Sequence, residues 1–236
     1  MHIGIVGVSS EGAALCYRTL CSEGSKFCGP WGHPEVSMHT SSFADFKRCI
    51  DADGWPAAAE ILLNSANKLA QIGADFLVCP ANTPHRAFAL LEPRSPRPWL
   101  HIARVVADEA AQRGYHRIGI LGTRSLVVSE IYPEALAARS LEYLRPDREE
   151  RDRIDRYIFD ELVRGIFTAD SIAYHQQVIA HMKDQGCDAV VLGCTEIPLI
   201  ISDENSALPT LDSTRLLARA ALRRAAGADR EPNSQR

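Results

Sequence analysis

The sequence predicts an α/β protein of two similar, pseudo-symmetric lobes, each a parallel sheet flanked by helices. Three observations predict it. Short, continuously apolar runs stand at residues 3–6, 76–79, 118–121 and 189–192, the pattern of strands covered on both faces. Longer segments with helical periodicity lie between them, at 57–71, 103–113, 151–165 and 171–185, and strands alternating with helices imply parallel sheets. Finally, the two halves match. His2-Ile3-Gly4-Ile5-Val6-Gly7 corresponds to Arg117-Ile118-Gly119-Ile120-Leu121-Gly122 at an offset of 115 residues, and an internal repeat of this kind sets the architecture.

Taken in order, the first strand runs into Val8-Ser9-Ser10-Glu11-Gly12, which ends it with hydroxyl donors. A second strand is predicted over Val36–Thr40, with Arg48 beyond it. The helical segment 57–72 maps onto 172–187, and Cys79 maps onto Cys194, by the same shift of 115. Gly73-Ala74-Asp75 and Gly186-Cys187-Asp188 open the two strands that lead to these cysteines, with a slip of two residues. Residues 145–156 read as a solvated helix face. The expected division is 1–100 plus 209–236 for the first lobe and 101–208 for the second, with a helix over 214–226 returning to the first. The polar tail 227–236, with Pro232, is expected to be mobile.

The totals exclude several classes. With 236 residues, 46% hydrophobic and 24% charged, the chain has an ordinary globular composition. A net charge of −4 and the lack of any long Lys/Arg run give no reason to expect nucleic acid as a partner. No apolar stretch approaches the roughly 20 residues of a spanning helix, and the first residues lack the basic head of a secretory signal. The expected setting is cytoplasmic, without membrane contact. Seven cysteines with no C-x-x-C argue against a disulfide framework. Cys16, Cys21, Cys28 and His33 match no common zinc spacing. No metal site is expected, no lysine stands in an obvious pyridoxal-phosphate context, and the G-x-G-x-x-G spacing is absent around Gly4, Gly7 and Gly12.

Cys79 and Cys194 carry the chemistry. Ligands of open parallel α/β sheets bind beyond the carboxyl ends of the strands, and both cysteines stand there. The following helix starts are expected to lower the thiol pKa and to cradle a carboxylate. Asn82, Thr83 and Thr195 add side-chain donors beside the cysteines. If the lobes face each other across one cleft, one thiol stands on each side of a substrate carbon. One removes a proton while the other delivers one to the opposite face, and converging N–H groups stabilise the carbanion. A nucleophilic pairing of Cys79 with His85 is the other chemical reading.

The segments Cys79-Pro80-Ala81-Asn82-Thr83-Pro84-His85 and Gly193-Cys194-Thr195-Glu196-Ile197-Pro198-Leu199 resemble the two signature motifs of the aspartate/glutamate racemase superfamily, the aspartate branch in particular. The resemblance covers nearly the whole chain, including Gly54-Trp55, Leu121-Gly122-Thr123-Arg124 and Gly165-Ile166-Phe167. It implies a two-cysteine amino-acid racemase without cofactor, acting on a small amino acid or dicarboxylate, with aspartate first, and often a homodimer. Cys79 and Cys194 take the acid/base roles. Ser9, Ser10, Asn82, Thr83, Thr123, Thr195 and Glu196 fall at the substrate, Thr123 by its repeat-equivalence to Val8. Thr168 stands where many relatives carry a carboxylate-binding lysine, so Arg48 is the candidate cation. Maleate isomerases and hydantoin racemases look related and keep a second isomerase reading open. Arylmalonate decarboxylases generally keep one of the two cysteines, so the pair argues against that branch. A non-catalytic binding protein on the same fold is the third reading.

Overall fold

The computed structural model describes residues 1–227. The expected mobility of the tail 227–236 lies, apart from Gly227, outside the described residues. Two compact units emerge. Among the described residues, one comprises Met1–Pro80, Ala87–His101 and 217–227; the other comprises Ala81–Arg86 and Ile102–Leu216. Relative to the expected division, the segment 81–86 and residues 209–216 fall with the second unit.

In the first unit, β1 (Ile3–Gly7) is followed by α1 (Ser10–Glu23) and α2 (Ser25–Cys28), then by β2 (Val36–Thr40), α3 (Phe43–Asp51) and α4 (Trp55–Gln71). Then come β3 (Phe76–Val78), α5 (Phe88–Leu91) and β4 (Trp99–Leu100). All strands are parallel, in the order β2-β1-β3-β4. Every residue of β1 and β3 is buried, which explains their unbroken apolar sequence. Edge strand β2 is only half buried.

The second unit repeats the plan. It contains α6 (Ile102–Gln112), β5 (Arg117–Leu121), α7 (Arg124–Val127), α8 (Ile131–Ala137), β6 (Glu142–Leu144), α9 (Arg148–Asp160), α10 (Ala169–Asp184), β7 (Ala189–Leu192) and β8 (Thr210–Asp212). Its strands are also parallel, in the order β6-β5-β7-β8, the same pattern as in the first sheet. The chain ends in α11 (Ser213–Ala225). From Leu217 on, α11 belongs to the first unit, where Arg219 forms a two-pronged ion pair with Glu23 of α1, at 2.8–3.1 Å.

One device shows the duplication in atomic detail. The Asp75 carboxylate accepts from the His2 backbone N–H at 2.7 Å, while the Asp75 N–H donates to the His2 carbonyl at 2.9 Å. Asp188 does the same at the start of β5, accepting from the His116 and Arg117 backbone N–H groups and donating to the Arg117 carbonyl. The register also locates the slip. Ile3 pairs with Phe76 and Ile118 with Ala189, so the cysteine strands correspond two residues out of step with the overall shift. Cys79 comes directly after β3, whereas Gly193 separates β7 from Cys194. The cysteines match in sequence, but in strand register Cys194 stands two residues farther along than Cys79.

Boundaries differ from the sequence reading where local chemistry overrides periodicity. The strand expected over 76–79 ends at Val78. The helix expected over 151–165 starts at Arg148, because Asp147 and Glu150 form a reciprocal capping box. It stops at Asp160, and Gly165 takes the left-handed conformation after a short 3-10 turn. α10 begins at Ala169 because the Thr168 hydroxyl caps it, accepting from the Ser171 N–H at 3.1 Å. No helix among the described residues is long and apolar enough to cross a membrane.

Candidate active site

At the carboxyl end of the first sheet, β1 and β3 lie side by side, with Ser9 just beyond one and Cys79 just beyond the other. Cys79 is fully buried. Ser9 caps α1, its hydroxyl accepting from the Gly12 N–H at 3.3 Å, and Ser10 is the first, exposed residue of that helix. Cys16 of α1 is buried beside Cys79; burial pushes its thiol pKa far up and the charge of Cys79 adds to this. Arg48, the candidate cation, projects from α3 with 73% of its side chain exposed and pairs with Asp45 one turn earlier.

The segment 81–86 belongs to the second unit. Asn82 is buried, and both ends of its amide are engaged. Its carbonyl oxygen accepts from the Tyr132 hydroxyl at 2.6 Å, and its nitrogen donates to the Ser213 hydroxyl at 2.9 Å. Ser213 in turn donates to the Leu192 carbonyl at 2.9 Å, at the end of β7. Thr83 meets Thr123 hydroxyl to hydroxyl at 3.3 Å, and Thr123 caps α7. Two turns of the chain predicted to face the substrate are thus joined, and Arg86 adds a bond to the Ser125 hydroxyl at 3.2 Å. Tyr132 and Ser213 were not legible as partners of this loop, because nothing in their sequence context marks them.

His85 occupies the centre of the same loop. One ring nitrogen donates to the Ala81 carbonyl at 2.9 Å, and the other accepts from the Ile102 N–H at 3.2 Å. Both nitrogens are bonded to backbone, and the ring fixes the loop to the start of α6.

Cys194, Thr195 and Glu196 are all buried beyond β7. Gly122 and Gly193 end the neighbouring strands at close quarters. A methyl group on Gly193 would lie 2.6 Å from Leu126 and 2.7 Å from the Leu121 carbonyl oxygen. The Cys194 thiol donates to the Glu196 carboxylate at 2.8 Å. Burial, then the Glu196 charge and this bond, push the Cys194 pKa well up, against smaller lowering effects from the Glu196 and Thr195 backbone N–H groups. For Cys194 the expectation of a lowered thiol pKa is corrected. The elements after the cysteines are short 3-10 turns, Thr83–Ala87 and Ile197–Leu199, and at Cys194 burial beside a carboxylate outweighs the local N–H groups. Thr168 donates to the Glu161 carboxylate at 2.7 Å while capping α10. Among the described residues, no cluster of three or more His, Cys, Asp or Glu side chains is placed to hold a metal ion.

A family model of the Asp/Glu/hydantoin racemases matches residues 5–221, with both cysteine motifs inside the match. The chain belongs to the Asp/Glu/hydantoin racemase family. Racemases are isomerases, and that is the enzyme class to which the family assigns this member. The chain is 25% identical over 186 residues to the broad specificity amino-acid racemase RacX of Bacillus subtilis (strain 168), covering 78% of this chain and 77% of that one. A Yersinia pestis crystal structure assigned provisionally to the Asp/Glu racemases superposes with a TM-score of 0.87 at 29% identity, covering 95% of this chain and 98% of the other. The aspartate racemase homologue PH1733 from Pyrococcus horikoshii OT3 gives a TM-score of 0.82 at 27% identity over the same shares. The racemase family member described here thus has the two-sheet fold of these relatives along nearly its full length.

Proposed function

We propose that this chain racemises an amino acid without pyridoxal phosphate or metal, through Cys79 and Cys194. One cysteine takes the Cα proton and the other delivers a proton to the opposite face. The observation that carries the reading is the presence of both cysteines, each in its signature motif, within the matched family region. The bond from the Cys194 thiol to Glu196 adds an assignment of roles. Cys194 rests protonated and serves as the acid in the first turnover, so Cys79 serves as the base. Buried Thr195 and the Thr83–Thr123 pair offer hydroxyl donors to the substrate carboxylate. Asn82 acts mainly by holding the loop that follows Cys79, with one amide hydrogen beyond the bond to Ser213. Aspartate is the first candidate substrate, and the chain is expected to act in the cytoplasm as a homodimer.

The test is incubation of each enantiomer of aspartate, glutamate and a panel of neutral amino acids in heavy water. Chiral chromatography and mass spectrometry then follow inversion and Cα deuteration. Inversion with solvent deuterium in the product is the expected result. No exchange at Cα with any amino acid would overturn the reading.

A further inference from the structure

We propose that Asp155 is a positioning residue of this site: its carboxylate pins the peptide that follows Thr123 and so aims the Thr83–Thr123 hydroxyl pair at the substrate carboxylate. The inference rests on the racemase reading and adds to it a residue of α9, a helix whose sequence reads as a solvated face. The Asp155 carboxylate accepts from the Arg124 backbone N–H at 2.7 Å, across 31 residues of sequence. That N–H is the first of α7 and has no carbonyl partner within the helix. Thr123, the cap of α7, accepts from the Leu126 N–H at 3.4 Å and meets Thr83 at 3.3 Å. All of these residues lie in the second unit.

The turn cannot set this geometry alone. α7 is four residues long, too short to sustain itself, since the first helical turn is the costly one. Leu126 is buried and fixes the far end: a methyl group on Gly122 would lie 2.9 Å from it, and one on Gly193 2.6 Å. At the near end Thr123 stands at ψ 151°, and that torsion sets where the next N–H points. A charge-assisted bond to this N–H fixes the torsion, and with it the direction of the Thr123 side chain. Asp152, one turn earlier in α9, takes the Arg124 guanidinium at 3.3 Å. That pair is open to solvent, with 62% of the arginine and 35% of the aspartate side chain exposed, so it contributes little. The backbone bond to Asp155 carries the role. The Thr83–Thr123 contact uses one of two hydroxyl hydrogens, whichever oxygen donates, and the other hydrogen is left for the substrate.

The experiment compares wild type with Asp155→Ala, Asp155→Asn, Arg124→Ala and Thr123→Ala, and with Thr123→Ala combined with each Asp155 variant. Racemisation kinetics are measured on the amino acid that wild type turns over fastest, and propionate binding is followed by calorimetry. In Asp155→Ala, kcat/KM should fall about tenfold, mainly through KM, the size of one lost hydrogen bond to a charged group. Asp155→Asn keeps an acceptor oxygen and should recover part of the loss. Arg124→Ala keeps the backbone N–H and should stay within about twofold of wild type. In the Thr123→Ala background, adding Asp155→Ala should change kcat/KM by less than about twofold, because the acid acts through Thr123. An unchanged KM in Asp155→Ala, or a full further loss on top of Thr123→Ala, overturns the proposal. If Asp155→Ala does not fold, Asp155→Asn is judged by the same two criteria. If wild type turns over no amino acid, propionate affinity carries the comparison. Affinity that depends on Asp155 only when Thr123 is present would uphold the positioning role and sink the racemase reading alone. Affinity that is absent or indifferent to Asp155 would overturn the role.

Discussion

Replacing Tyr132 by phenylalanine removes one oxygen atom from the buried chain Tyr132–Asn82–Ser213–Leu192 and nothing from the packing of the ring. The lost bond is short, 2.6 Å, and both partners are buried. The Asn82 carbonyl oxygen is left without this donor in a site closed to water. An unsatisfied buried acceptor costs about 1–3 kcal/mol. For a chain of this length, each kcal/mol moves the midpoint by about 2–4 °C, so the Tm should fall by about 4–8 °C for a central loss of about 2 kcal/mol. The assay is thermal and urea unfolding of wild type, Tyr132→Phe, Asn82→Ala and the double variant. The two substitutions should couple by about 0.5–3 kcal/mol, as expected for groups in one network. Strict additivity, or a Tyr132→Phe protein as stable as wild type, would refute the hydrogen-bond chain as the anchor of the segment 81–86. The variant should also lose racemase activity beyond its loss of stability, since the anchored loop begins two residues after Cys79.

Other outcomes follow from the same geometry. Cys79→Ala and Cys194→Ala should each lower racemisation by on the order of 10²–10⁴-fold, the usual contribution of a positioned acid or base, as read by Cα deuterium exchange; full activity in either would contradict the two-base reading. Glu196→Gln removes a charge that raises the Cys194 pKa, so thiolate absorbance from that cysteine should develop at lower pH; an unmoved titration would show that burial alone sets it. Because the folded-state pKa of Cys194 lies above the usual cysteine value of about 8.5, the folded state holds its proton where the unfolded state loses it. Stability is therefore complete below that value and declines as pH rises above it, and urea unfolding of Cys194→Ala should show a shallower decline. Gly193→Ala should cost about 1–3 kcal/mol in urea unfolding, since its methyl group would meet Leu126 and the Leu121 carbonyl oxygen.

The architecture was legible because its signals are local and repeated. Buried parallel strands need unbroken apolar runs, so β1, β3, β5 and β7 announce themselves, and the repeat of Ile3–Gly7 at the start of the second half exposes the duplication. The cysteines were legible through the same repeat, although in strand register Cys194 stands two residues farther along than Cys79. What could not be read is the partnering of polar groups across long sequence separations. Asn82 meets Tyr132 and Ser213 at separations of 50 and 131 residues, and no periodicity encodes such pairs. Arg48 illustrates the converse. Its place after β2 suggested a ligand; what the sequence did not show is its ion pair with an acid three residues earlier in its own helix. The thiol pKa at Cys194 was misread because sequence shows a strand end but not the depth of burial or the aim of the next carboxylate.

The allocation of the segment 81–86 has a consequence for dissecting this molecule. A fragment cut at the midpoint of the repeat, after His101, would carry this loop away from Tyr132, Ser213, Thr123 and Ser125, the side chains that bond to it. The remaining fragment would keep those four side chains and lose their guest. The duplication is thus visible in the topology but no longer separable in the chain. Split-protein or single-repeat versions would need the stretch from Ala81 to Arg86 grafted across the cut before either piece could be judged on its own stability.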